Sequence, residues 1–513
     1  MRTNFSRLAS AAASAAVLLF ATGIVSDGGS AVAAAAKPVY GGTLTVGLAG
    51  NPDSMDPYLF HESDSIDVFK NIYQTLVDHN QKQQIVPQLA SKWTISPNGL
   101  TYTFTLQKGV KWQNGTAFKA TDVQYSIESA MKPTDTREAP LLTTVKSVVA
   151  NNATNTVTIH MIRPDNLLLQ TLVDVQITPD QKGLNLATDP IGTGPFTFVK
   201  WIQNDEVVLK RNPTYWGKRP YLNQVVFKII PDPSTMIDQL TTGQINLLDA
   251  LPASEVPTIK ADKNLTIYSV PQAQDPQPYF IVFNVRKGPL ANAKVREALS
   301  WSINRTQIGQ DLQGQFYAYG SAFPPGNPYY DPQAISYMPQ KLALAKSLLK
   351  QAGYPHGFSI SLEYFTLTSY PTIAQAVAAD WGQLGVKVTL KPVEIAAWVS
   401  DVFTKFDFQA ALTSNAPKDT PFDRLDHNFV QYQVGTDWNN PTWFKDEQAL
   451  RGINPSSPAY RKMINYLNVT VQQQEPDIVV GGLPIITAAS NTVHGYYVSP
   501  RNYTRLWNVW LSK

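Results

Sequence analysis

Six histidines, His61, His79, His160, His356, His427 and His494, are the residues best suited to metal or proton chemistry, and their spacing offers neither. No two stand four apart, and no His-Glu-x-x-His occurs, so one helix face cannot present two imidazoles and a glutamate base to zinc. They read as isolated surface or core residues; a site assembled from distant positions stays open. No Gly-x-Ser-x-Gly elbow lifts a serine nucleophile, and no Gly-x4-Gly-Lys-Ser/Thr loop cradles a phosphate. Acidic residues are many but scattered, and the sequence alone cannot pair them as glycosidase carboxylates. With no cysteine at all, thiol catalysis, disulfides and cysteine-based metal sites are excluded. Nothing here points to a catalytic residue, a cofactor or a metal.

The charge balance is nearly even, 42 Lys and Arg against 39 Asp and Glu for a net +3, and no basic run appears. That argues against a nucleic-acid partner. The 11 Trp, 23 Tyr and 21 Phe fit large cores and are compatible with a cleft that stacks on its ligand. Residues 1–36 have the pattern of a secretory leader. Arg2 and Arg7 supply the charged start, Leu8 to Val25 an Ala-rich apolar stretch, and Ala31-Val32-Ala33 or a neighbouring Ala triplet the small residues for cleavage. The alternative, an uncleaved anchor, is weakened by Ser10, Ser14 and Thr22. Ile478 to Ala489 is apolar but short and is broken by Pro484. Without a cysteine there is no lipid attachment point, so the mature chain is expected near Lys37, free in the periplasm. What remains is long enough for two or three domains with their own cores.

The elements that would position a site are legible in places. Leu100 to Leu106 alternates as a half-buried strand after the turn pair Asn98-Gly99. Asn114-Gly115 is a second turn, and Thr121-Asp122 offers a cap for a helix carrying Val123, Tyr125, Ile127 and Ala130. Thr43 to Val46 predicts a short strand, followed by a loop over Asn51–Pro57. In Ile191-Gly-Thr-Gly-Pro-Phe196 the glycines permit unusual backbone shapes and Pro195 stiffens the entry to a strand. Val225 to Ile230 alternates, and Tyr279 to Asn284 is a continuous apolar run suited to a buried strand. Val295, Ala298, Leu299 and Ile303 make one helix face, with Arg296 and Arg305 off it. Helices are expected over Lys341–Ala352, stopped by Gly353, and Pro371–Leu384, stopped by Gly385, with a strand through Val386, Val388 and Leu390. Phe406 to Leu412 reads as a strand, and Thr413 to Asp423 as the loop after it.

Taken in order, Pro87-Gln-Leu-Ala-Ser-Lys-Trp93, the stretch Asn98–Glu128, the Ile191–Phe196 turn, Asn212-Pro-Thr-Tyr-Trp216 and Val295-Arg-Glu-Ala-Leu299 resemble the family 5 extracellular solute-binding proteins of ABC importers. The resemblance runs from about Gly41 to the chain end. Gln107 stands where the family usually has a basic residue, and Met55 replaces the leucine of its Leu-Asp-Pro loop.

The resemblance implies an α/β fold: a two-lobed periplasmic binding protein, type II-like, cluster C, with an extra subdomain on the N-terminal side. It implies a first lobe at 37–70, 185–275 and 485–513, a subdomain at 71–184 and a second lobe at 276–484. Ligand would lie between lobes, in contact with the first-strand loop at Ser54 and Met55 and with the second-lobe loop at Ser414, Asn415 and Asp419. Asp419, with Asp423 as runner-up, matches by order an aspartate that pairs with a peptide's α-ammonium; Ser414 and Asn415 stand where the family often has a tryptophan. The implied function is capture of a peptide or similar small solute by a monomer, for delivery to an inner-membrane ABC permease. Opines, nickel chelates and oligosaccharides are further ligand classes of the family. An exported hydrolase acting on peptides or glycans is the alternative, and a sensor or chaperone role is a third.

Overall fold

The strand Thr43–Leu48 lies in the middle of a seven-stranded sheet, and its neighbours show how the chain returns to it. It pairs in parallel with Gln224–Ile229 on one side and Leu247–Leu248 on the other. Beyond the first, Glu206–Arg211 and Phe196–Ile202 continue antiparallel. Beyond the second come Ile486–Ser490 and then Leu265–Ser269. Alternate residues feed opposite faces. Leu247 and Ala489 join Leu44, Val46, Phe69 and Phe227 in one core, whereas Leu248 and Ala488 join Met236, Ile237 and Ile259 in another. In this computed structural model the described residues are 37–59, 63–132, 139–269, 276–331, 337–366, 369–394, 397–398, 400–415, 420–425, 436–499 and 503–512. The leader expected at 1–36, His61, His427 and Asp419 lie outside them.

A second, five-stranded sheet runs Lys387–Val393, Ser359–Phe365, Ala410–Ser414, Gln277–Phe283, Asp477–Leu483. The first three strands are parallel, the last two antiparallel to their neighbours. The apolar run predicted at Tyr279–Asn284 is flanked on both sides and buried throughout, as its composition requires. A third sheet of four antiparallel strands, Ala90–Ile95, Thr101–Leu106, Thr156–Met161 and Val145–Asn151, carries the helix Ala120–Ala130. Thr101–Leu106 alternates half-buried and buried along its length, as its threonine–aromatic pattern predicts.

Several local expectations need correction. The helix at Ala120 begins one residue before Thr121; the Asp122 carboxylate accepts the Lys119 N–H at 2.8 Å and the Trp112 indole N–H at 3.0 Å. Tyr125 points outward rather than joining Val123 and Ile127. The glycines of the Ile191–Phe196 turn are needed for close approach, not for unusual φ: a Cβ on Gly192 would sit 1.9 Å from the Ile72 carbonyl oxygen, and one on Gly194 2.5 Å from it. Phe406 adopts φ 55° with the Arg286 guanidinium 4.1 Å over its ring, so the strand expected from Phe406 starts only at Ala410. Arg296 and Arg305 lie off the apolar helix stripe yet are buried. Their guanidiniums donate to carbonyls of Leu290, Ser300, Tyr337 and Val479, which satisfies charge-bearing groups that burial would otherwise penalise. The apolar stretch Ile478–Ala489 splits at Pro484 into one strand for each large sheet. Among the described residues no helix is long and apolar enough to cross a membrane.

Candidate functional site between the two large sheets

The last residue of the first sheet's central strand is Leu48, and Ala49 just beyond it opens onto a cavity of about 180 Å³. The seven-stranded side supplies Pro231, Pro233, Met236, Ile237, Ala250, Leu251 and Pro252. Gln277, Tyr279, Ser369 and Leu483 come from the five-stranded side. Pro484, Ile485 and Ile486, where the chain passes from one sheet to the other, complete the wall. Met236 and Ile237 are held there by a short helix, Pro233–Thr241. Its cap is Asp232, whose carboxylate accepts the Thr235 N–H at 2.8 Å.

Behind the wall on the five-stranded side, Gln277 Nε2 donates to Ser414 Oγ at 2.8 Å, and the Tyr370 hydroxyl lies 2.8 Å from the same oxygen. Ser414, expected in the site, therefore braces two residues of that wall region. Asn415 is buried next to it, its N–H donating to the Pro278 carbonyl at 3.2 Å. Asp423 sits at the start of the short helix Pro421–Leu425, where its carboxylate accepts the Thr420 hydroxyl at 2.7 Å.

The first-strand loop is arranged differently. Ser54 Oγ accepts the Asp56 N–H at 3.0 Å, and Asp56 in turn accepts the Tyr58 N–H at 2.9 Å. Ser65 Oγ accepts the Asp53 N–H at 3.1 Å and donates to the Asp53 carboxylate at 2.7 Å. Met55 is fully buried in the core with Leu48, Val68 and Phe69. The structure thus brings Ser414 and Asn415 together beside the cavity, and places Ser54 and Met55 in a self-bonded loop whose methionine anchors it.

A second, smaller space of about 30 Å³ lies on the other face of the seven-stranded sheet, between Asp67, Asp249, Thr487, Tyr496 and Thr504. Burial raises the Asp67 carboxyl to about 7, with the nearby Asp64 charge adding to the rise and the Thr504 N–H opposing it. Burial, with the Asp67 and Asp64 charges, holds Asp249 well above the usual carboxylate range. These carboxylates do share a pocket, but it has room for about two waters. It cannot admit a peptide or glycan as a hydrolase would require. Among the described residues no group of three or more His, Asp or Glu could hold a metal.

A model of the bacterial extracellular solute-binding proteins, family 5, matches residues 84–437. The chain belongs to this family. It is 26% identical to the dipeptide-binding protein of Escherichia coli K12, over 92% of this chain and 95% of that one. It is 29% identical to the glutathione-binding protein GsiB of Salmonella choleraesuis strain SC-B67, over 75% of each. Among solved structures, the Helicobacter pylori ABC transporter-associated periplasmic binding protein DppA, in complex with the peptide STSA, superposes with a TM-score of 0.81. That pair is 25% identical, over 93% of this chain and 99% of that one.

As a family 5 solute-binding protein the chain has the two-lobed α/β fold of its relatives and serves ABC import by binding, not by catalysis. The hydrolase alternative is left without support. What the cavity can do chemically is enclose a ligand from both sides, since contacts made to both sheets at once exist only when the lobes face each other. Sequence reasoning did not single out Gln277, Tyr370, Ala250 or the proline-studded wall. A signal was present: Pro231 falls two residues after a strand and Pro484 one residue after another, where a strand cannot continue.

Proposed function

We propose that the chain captures a peptide or similar small solute between its two lobes and hands it to an inner-membrane ABC permease, acting as a monomer in the periplasm after removal of residues 1–36. The single observation that carries the ligand site is the cavity walled by Ala49, Ala250 and Leu251 on one side and Gln277, Tyr279 and Ser369 on the other. The peptide class is supported by the dipeptide- and glutathione-binding relatives and by the peptide-bound neighbour. The division into lobes at 37–70, 185–275 and 485–513, a subdomain at 71–184 and a second lobe at 276–484 is supported by the sheets, each of which draws its strands from one of these sets. Ser414 and Asn415 belong to this proposal as residues that shape the second-lobe wall, and Ser54 and Met55 as the loop on the facing lobe. Asp419 enters from sequence order alone, as partner to a ligand ammonium.

The test is a thermal-shift and calorimetric screen of the protein, unfolded and refolded to strip resident ligand, against di- and tripeptides, glutathione, an opine and a nickel chelate. A true ligand raises the melting temperature, by about 2.7 kcal/mol of stability at a free concentration 100 times its Kd. Binding of a non-peptide and no peptide would overturn the peptide class, and binding of none of these solutes would overturn the reading.

A further inference from the structure

The interlobe cavity has a narrow chemical character. Among the described residues that line it, none is Asp, Glu, Lys, Arg or His. Met236, Ile237, Leu251, Leu483, Ile485 and Ile486 provide its apolar surface. The four prolines Pro231, Pro233, Pro252 and Pro484 add more of the same and lack the N–H with which a wall would bind a peptide backbone. Its polar edge is confined to the second-lobe side, where Gln277 and Ser369 face the space and Ser414 and Tyr370 stand behind Gln277.

We infer that this cavity is a side-chain subsite that selects an uncharged, apolar residue of the bound peptide, aliphatic or aromatic. The inference rests on the peptide reading above. A carboxylate or ammonium entering this space would give up water and meet no counter-charge among the described lining residues, a penalty that an apolar side chain does not pay. An apolar side chain gains from the same walls in proportion to the area it buries. A ligand's main chain would be met instead at the Gln277 edge, which fixes the direction in which the side chain enters.

Ala250 gives direct access to the idea. It lines the cavity and is itself exposed, so enlarging it narrows the space without touching a core. The experiment uses refolded, ligand-free protein and a tripeptide series, Ala-Ala-Ala with Leu, Phe, Glu or Lys substituted at each position in turn, measured by calorimetry. At one position Leu or Phe should bind at least about tenfold tighter than Glu or Lys. In Ala250→Leu that advantage should fall to within about threefold, whatever the change in affinity for Ala-Ala-Ala. In Ala250→Asp the Lys peptide should gain on the Leu peptide. Equal affinity for Leu, Glu and Lys at every position overturns the inference and leaves the peptide reading standing, as does an Ala250→Leu protein that keeps the full preference. Failure of every peptide to bind takes down both.

Discussion

Asp165 and Arg451 are 286 positions apart in the chain and 2.5 Å apart in space, an ion pair with both side chains buried. Asp165 follows the last strand of the four-stranded sheet, and Arg451 lies among helices that pack next to the five-stranded one. Around them Asn166 Nδ2 donates to the Leu450 carbonyl at 2.9 Å, and Leu167 sits in a cluster with Phe422, Trp438 and Trp443. The contact ties the end of the four-stranded sheet to the helical cluster that holds Trp438 and Trp443.

Breaking this pair should be expensive. Arg451→Met leaves the Asp165 carboxylate buried with Thr144 as its remaining side-chain donor, and should destabilise by about 3–5 kcal/mol. The double variant with Asp165→Leu should cost much less than the sum of the two single changes. Urea unfolding of the four proteins measures the coupling, and additive losses would show the pair to be incidental.

The Asp67 carboxyl makes stability depend on pH with a definite sign. Its value in the folded chain, about 7, lies above that of an unfolded aspartate, so the folded state holds a proton that the unfolded state releases. Stability from this group is therefore present below about pH 4 and lost as pH rises toward 7. Asp64 and Asp249 face it, and burial raises both, so their contributions carry the same sign. Asp67→Asn keeps an acceptor for the Thr504 N–H and removes the titration. Its melting temperature relative to wild type should climb between pH 5 and pH 8; a constant difference would refute the assignment.

Gly192→Ala should be far more damaging than its size suggests. The new methyl meets a backbone carbonyl that is itself bonded to the Gly194 N–H at 2.8 Å and cannot retreat. A loss of at least about 1–3 kcal/mol is expected from overpacking. Gly183→Ala, where φ is +85° but the space is open, should cost only about 1 kcal/mol. Thermal denaturation of both compares crowding with backbone strain.

Ser414→Ala removes the shared partner of Gln277 and Tyr370. Two polar groups then lose a bond each, at about 1–3 kcal/mol if they stay dry. Because that bond network stands behind the cavity wall, peptide affinity should fall several-fold while the melting temperature drops by a few degrees. Unchanged affinity would separate Ser414 from the site.

Much of this architecture could be read from residue patterns because it depends on short-range alternation. Thr101–Leu106, Gln224–Ile229 and the helix at Val295 each declare their buried face by period alone. The order of the motifs carried the family. What stayed hidden is what depends on distant partners. Arg296 looks like a surface residue on its own helix, and its burial is explained by the Leu290 carbonyl together with the carbonyls of Gln474 and Glu475, 178 and 179 positions away. The role of Gly192 is set by the carbonyl of Ile72, which no local pattern reveals. The cavity wall was equally illegible, since Ala49, Ala250, Gln277 and Pro484 become neighbours only after both sheets have formed.

The strands Asp477–Leu483 and Ile486–Ser490 belong to different sheets, and only Pro484 and Ile485 separate them. Those two residues also form part of the cavity floor. One short piece of chain thus both joins the two sheets and contributes to the cavity wall, so a substitution at Pro484 would act on the join and on the wall together.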